Sequence, residues 1–152
     1  MGLVIPPPEL IYIGIVGHEE AKFTFETEKI ARIIIRGLLS DPRSIVVSGD
    51  CPLGGIDVWS EDEADLLGRG KKIFPPKNNR WEPDGFKARN IQIAEVSSEV
   101  NVIVVRELPP SYRGRRFPIC YHCGSKTHIK SGACWTAKYA QKLGKKIRMF
   151  EI

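Results

Sequence analysis

Short runs rich in β-branched residues, at positions 11–16, 45–47, 71–74, 100–105 and 146–152, alternate along this chain with stretches whose apolar residues return every three or four positions. Several runs are apolar on successive rather than alternate residues, as strands covered on both faces are. Strands covered twice need helices between them, and the intervening stretches supply them. Thr24 is placed to cap a helix reaching about residue 39, with Ile30, Ile33, Ile34 and Leu38 on its inner face. Further helices are expected at about 57–67, at 86–99 with Ile91, Ile93 and Ala94 inward, and at 134–143, where Gly144 supplies the stop.

Five strands alternating with four helices predict an α/β fold, a Rossmann-like three-layer sandwich on a mostly parallel five-stranded sheet. At 152 residues the chain is of single-domain length, enough to bury roughly 70% of its unfolded surface. Residues 1–152 are therefore expected to form one domain. No stretch approaches the roughly 20 apolar residues that span a bilayer, and the start, MGLVIPPPEL, lacks the basic and apolar regions of a signal peptide. A soluble cytoplasmic protein without a membrane partner is the expectation.

The net charge of +5 is unevenly distributed. Residues 101–152 hold 11 Lys and Arg against 2 acidic residues, leaving 12 against 16 in the first hundred. Arg106, Arg113, Arg115, Arg116, Lys126 and Lys130 cluster around one long irregular stretch, residues 107–132. Such a cluster suits phosphate on a nucleotide or a nucleic-acid backbone, and equally a solvated surface.

Three glycine-bearing loops are expected at one edge of the sheet. IVGHEE places Gly17 and His18 after the first strand. VSGDCPLGGID places Ser48, Gly49 and Asp50 after the second, with Gly54 and Gly55 before a helix whose first turn holds Asp57. KSGACWTA places Ser131 and Gly132 before the last helix. Ligands of open parallel sheets bind outside the carboxyl ends of the strands, where helix N-termini attract anions. The loops therefore read as a phosphate-binding edge.

These motifs carry a resemblance. VSGDCPLGGID resembles the SG…GID signature of DprA proteins, and FKARNIQIAEVSSEVNVIVV, preceded by Trp81 and Gly85, resembles the W…G…RN block of YspA-like proteins. SGACWTAKYAQKLGKKIRMF is similar to the glycine turn, helix and strand that close the same fold, so that residues 12–150 resemble the SLOG superfamily, which includes LOG-type phosphoribohydrolases. The resemblance implies a Rossmann-like domain binding a nucleotide or nucleotide-derived ligand, often as a homo-oligomer. It implies ligand-binding roles for Gly17, His18, Ser48, Gly49, Gly55, Asp57, Arg89, Asn90, Ser131 and Gly132. LOG enzymes carry a PGGxGTxxE turn whose glutamate serves hydrolysis. SGACWTAKYA has no such acid, which counts against phosphoribohydrolase activity. DprA carries further domains that 152 residues do not accommodate, which weakens a DNA role.

CYHCGSKTHIKSGAC adds a second signal. Cys120 and Cys123 form C-x2-C, His128 follows after four residues and Cys134 after five more, a donor set suited to tetrahedral zinc in a structural role. The string is similar to a zinc knuckle, which places four residues before its last cysteine and binds single strands. Reduced cysteines without metal are the plain alternative. A third reading makes Cys134 a reactive thiolate at a helix N-terminus, facing Cys51. No organic cofactor is indicated.

Two functions follow as expectations. The first is binding, sensing or processing of a nucleotide-like molecule. Were it an enzyme, the reaction would be a nucleotide-directed hydrolysis, with Asp50 or Asp57 as base and Arg89 stabilising charge. The alternative is a single-stranded nucleic-acid module, with Tyr112, Tyr121 and Trp135 stacking on bases, although Trp135 also suits the core. Trp59 suits a base pocket or the core, and Trp81 an aromatic lid.

Overall fold

The computed structural model describes residues 9–78, 80–81 and 85–152. The MGLVIPPP start and part of the KNNRWEPDG loop therefore lie outside the described residues. The elements are β1 (Ile11–Gly17), a 3₁₀ turn (Glu20–Lys22), α1 (Phe25–Leu38), β2 (Ser44–Ser48), α2 (Ile56–Leu67), β3 (Gly70–Ile73), α3 (Phe86–Val96), β4 (Glu99–Val104), α4 (Ala133–Lys142) and β5 (Lys146–Glu151). The sheet runs β3-β2-β1-β4-β5 and every pairing is parallel. The expected three-layer α/β sandwich is present, with a sheet parallel throughout rather than mostly so.

Strand parity sorts the core into two layers. Ile13 and Ile15 of β1, Val46 of β2 and Ile103 of β4 pack with Ala31, Ile35, Ile56 and Ala64 from α1 and α2. Val16, Val47, Val100, Val102 and Val104 face the other way, against Ile93 and Ala94 of α3 and Ala133, Ala137 and Ala140 of α4. Burial on both faces explains why the strands are apolar on successive residues. The chain winds from β1 outward to β3, then crosses back to β4 on the opposite side of β1. Winding thus reverses between β1 and β4, and there the helices diverge and leave a crevice.

Two sequence expectations are corrected. On α1 the buried residues are Ala31 and Ile35, with Ile34 and Leu38 partly covered, while Ile30 and Ile33 are exposed. The stretch IARIIIRGLL offers two overlapping apolar stripes, and the one containing Ala31 lets α1 approach more closely. The third helix ends at Val96 rather than 99, because Ser97 turns extended (φ −68, ψ 141) and Glu99 already pairs with Ile13 and Lys146. Elsewhere boundaries hold to within a residue or so: Thr24 caps α1 in a reciprocal capping box with Thr27, and Gly144 follows α4 at φ +82.

Between α1 and α2, the carboxylate of Glu63 is 1% exposed and accepts hydrogen bonds from Arg36 Nε at 2.8 Å and Arg32 Nη1 at 3.2 Å. Burial opposes its charge, and the two guanidiniums override it, holding the carboxyl below its usual range. Both sheet edges are basic: Lys71 and Lys72 on β3, and Lys146 and Arg148 on β5, are exposed. No helix among the described residues is long and apolar enough to cross a membrane.

Glu63→Gln is expected to destabilise the fold by about 1–3 kcal/mol, below the full cost of breaking a buried pair because Arg36 is half exposed. A group with a lowered folded pKa stabilises above its unfolded value, so the deficit should be full at neutral pH and vanish as acid titrates Glu63 in the folded wild type. Urea unfolding of both proteins across the acid range measures this.

Candidate functional site

The crevice at the carboxyl ends of β1 and β4 has a volume of about 610 Å³. One side is the end of β1, Val16–His18 in the chain, with Asp57 of α2. Another is α3, presenting Phe86, Arg89, Asn90 and Ile93. The third is the entry to α4, Lys130 to Thr136, and the rim carries Trp81, Tyr121 and His122. Of the residues expected to meet a ligand, Gly17, His18, Asp57, Arg89, Asn90, Ser131 and Gly132 line this one cavity.

Ser48, Gly49, Asp50, Gly54 and Gly55 do not line it. They form a support behind Asp57 and Arg89. Several amides of this loop are already used: Asp50 N–H donates to Ser48 Oγ (3.3 Å), Cys51 N–H to Asp57 Oδ2 (3.2 Å), Gly54 N–H to the Cys51 carbonyl (3.0 Å) and Ile56 N–H to the His18 carbonyl (3.1 Å). The glycines serve close packing. A Cβ on Gly49 would collide with the Arg89 guanidinium, and Gly55, at φ +84, has the His18 carbonyl against it.

Arg89 is 8% exposed. Its Nη1 donates to the Gly49 carbonyl at 2.8 Å and to Asp57 Oδ2 at 3.2 Å, and its guanidinium lies over the Phe86 ring. Its Nε is buried without any partner. Thr136 Oγ1, on the facing helix, is likewise buried and unpartnered. Native proteins leave few such atoms, and two of them belong to residues that line the crevice. Asp57 is raised in pKa by burial, with Arg89 opposing, and its pairing with Arg89 and Cys51 occupies one oxygen.

His18 closes the floor. It is 2% exposed; Nδ1 accepts the Val105 N–H at 3.0 Å, which places the proton on Nε2, directed at the carbonyls of Ile129 (3.1 Å) and Lys130 (3.0 Å). Burial, reinforced by Lys22, lowers its pKa to about 3, so the ring is neutral across physiological pH. Both nitrogens are committed to the fold, which makes His18 a positioning residue.

The aromatic rim differs from expectation. Trp135 is half-buried and lines the crevice instead of the core: it meets Trp81 edge-on (5.0 Å between centroids) and stacks on Tyr139 at 5.5 Å. Trp59 is 2% exposed and packs on Phe23 at 4.7 Å, well inside. Tyr112 lies outside the lining, under Arg116.

The cysteine signal closes into a cluster. Donor atoms of Cys120, Cys123, His128 and Cys134 lie within 4.8 Å of one another. His128 Nε2 is 3.2 Å from Cys123 Sγ and 3.8 Å from Cys134 Sγ, against ligand-to-ligand edges of about 3.5–3.8 Å in tetrahedral zinc. His128 Nδ1 is 2.8 Å from the Ile129 carbonyl, which takes its proton and leaves Nε2 free as a donor atom. Cys120 to Gly124 form a tight turn, with Gly124 at φ +75. These four residues can hold a metal ion, zinc included. Burial, with Cys120 and Cys123 beside it, pushes the Cys134 thiol up, and Cys51, also raised by burial, faces the crevice that Cys134 does not line.

Sequence reasoning missed Glu61. Four residues after Asp57 on α2, it accepts from Ser48 Oγ at 2.8 Å. Burial, with Asp50 and Asp57 nearby, raises its pKa to about 7. The i, i+4 repeat of acids was the available signal. Because the folded pKa is raised, stability falls as pH climbs from the ordinary carboxylate range through about 7. In Glu61→Gln that decline should flatten, as thermal unfolding from pH 4 to pH 8 would show.

No family model, curated protein or solved structure matches this chain.

Proposed function

We propose that the protein binds a nucleotide or nucleotide-derived molecule in the crevice between β1 and β4, as the SLOG resemblance implies. The observation that carries the reading is the Arg89 guanidinium, buried in the crevice wall with Nε unpartnered. Asp57 and the Gly49 carbonyl hold Nη1, which fixes the orientation of a guanidinium whose planar fork suits an oxyanion such as phosphate. Trp81, Trp135 and His122 offer flat faces for a base, and Lys22 and Lys130 add positive charge. Zinc in the Cys3His cluster has a structural role in this reading, since all four ligands come from the protein.

Calorimetric titration with AMP, ADP and ATP tests it. Arg89→Ala should lose at least tenfold in affinity. Arg89→Lys keeps the charge opposite Asp57 but not the fork, and should also bind weakly while remaining folded. Full affinity in Arg89→Lys and Arg89→Ala, or no nucleotide bound by the wild type at millimolar concentration, would sink the proposal.

A second reading rests on the Cys3His cluster and its surroundings. Arg113, Arg115, Arg116 and Lys126 are exposed and make no ion pair among the described residues, and Arg115 and Lys130 lie over the Phe117 ring. Such a surface suits single-stranded nucleic acid. Affinity for a fluorescent oligonucleotide should then fall steeply from 50 to 200 mM salt. A flat salt response would exclude it.

A further inference from the structure

The long β4–α4 connection has little to hold it. Among the described residues, and apart from the cysteine cluster, no hydrogen bond or ion pair joins residues 107–126 to anything outside residues 107–131. The ties to the sheet begin only at its far end, where Thr127 Oγ1 donates to Glu151 and Ile129 N–H to the Val105 carbonyl. Yet this segment supplies a crevice wall. Tyr121 and His122, the two residues inside the C-x2-C turn, line the crevice, and so do Lys130, Ser131 and Gly132 between His128 and Cys134. The metal ligands and the crevice lining are interleaved along one stretch of chain.

Cys134 lies in the first turn of α4, whose Ala137 and Ala140 are packed on the sheet. Cys120 and Cys123 belong to the free-running part. An ion shared by these residues would tie the connection to the helix, and the ligand pair sits directly on either side of Tyr121 and His122. Without it, three sulfurs and an imidazole in mutual contact offer weak attraction and some mutual repulsion, and the wall loses its anchor.

We propose that metal binding at Cys120, Cys123, His128 and Cys134 assembles the Tyr121–His122 wall, so that metal occupancy controls binding of a base-bearing ligand in the crevice. The ligand half of this statement rests on the nucleotide reading above; the wall half does not. The sheet and α1 to α3 do not depend on the cluster and stay folded when the metal is removed.

The test compares zinc-loaded protein with protein stripped by a chelator under reducing conditions, and with Cys123→Ser, whose exposed side chain makes the change tolerable to the fold. Co2+ in place of zinc gives the absorption of a tetrahedral thiolate site. Hydrogen exchange then reads residues 117–132 against β1 and β4, and AMP serves as the ligand probe. Loss of metal should raise exchange in residues 117–126 at least tenfold, leave β1 and β4 protected, red-shift the emission of Trp81 and Trp135, and weaken AMP at least tenfold. Unchanged exchange in the wall, absence of tetrahedral Co2+ absorption, or AMP bound measurably and with equal affinity in the loaded and stripped protein would each overturn the proposal. A wall that loosens on stripping, in a protein that binds no AMP in either state, upholds metal-dependent assembly and removes the nucleotide reading instead.

Discussion

One buried imidazole joins the parts on which the site depends. His18 stands where β1 ends, accepts a hydrogen bond from the backbone N–H just past β4 and donates to the carbonyls that lead into α4. It bridges the two strands between which winding reverses, and it fixes the path of the chain across the gap. The ring can do this only while neutral, and burial keeps it so. A charged ring would have to donate from Nδ1 toward an amide that is itself a donor. The geometry of the switch point and the protonation state of His18 are therefore a single fact.

Behind that floor the charges are layered. Asp50, Asp57 and Glu61 lie on the α2 side with Ser48, and Arg89 reaches across from α3 to meet them. Asp57 and the Gly49 carbonyl hold Arg89 in place in the wall of a crevice that lysines and aromatic rings border. An arginine used in this way transmits position rather than charge: the acids behind it offset much of its field, while its orientation is fixed to a narrow range.

The strands and helices were legible because periodicity and two-sided burial leave few alternatives, and Thr24, Gly144 and the C-x2-C spacing each have one dominant physical use. The α1 face was not, because consecutive isoleucines satisfy two stripes at once and only the identity of Ala31 separates them. The second glycine loop was placed correctly, but its internal hydrogen bonding was not legible. Its amides are spent on Ser48, on a carboxylate that curls back from α2 and on the His18 carbonyl, and nothing in a linear string announces that return. Trp135 was assigned to a core that α4 fills with alanines instead, which leaves the large ring for the crevice. Glu61 was invisible for the same reason: its proximity to Asp50 exists only once β2 and α2 are packed together.

The basic edges of the sheet have a consequence of their own. An open parallel sheet ends in two strands with unpaired backbone groups, and each is an invitation to a second copy. Here β3 carries Lys71 and Lys72, and β5 carries Lys146 and Arg148. Two such strands laid side by side would bring Lys72 and Lys146 toward like charges, whereas Lys71 and Arg148 are offset by Asp65 and Glu99. Such charges disfavour continuation of the sheet into a second one, while on the helical layer Ile30 and Ile33 of α1 stand uncovered.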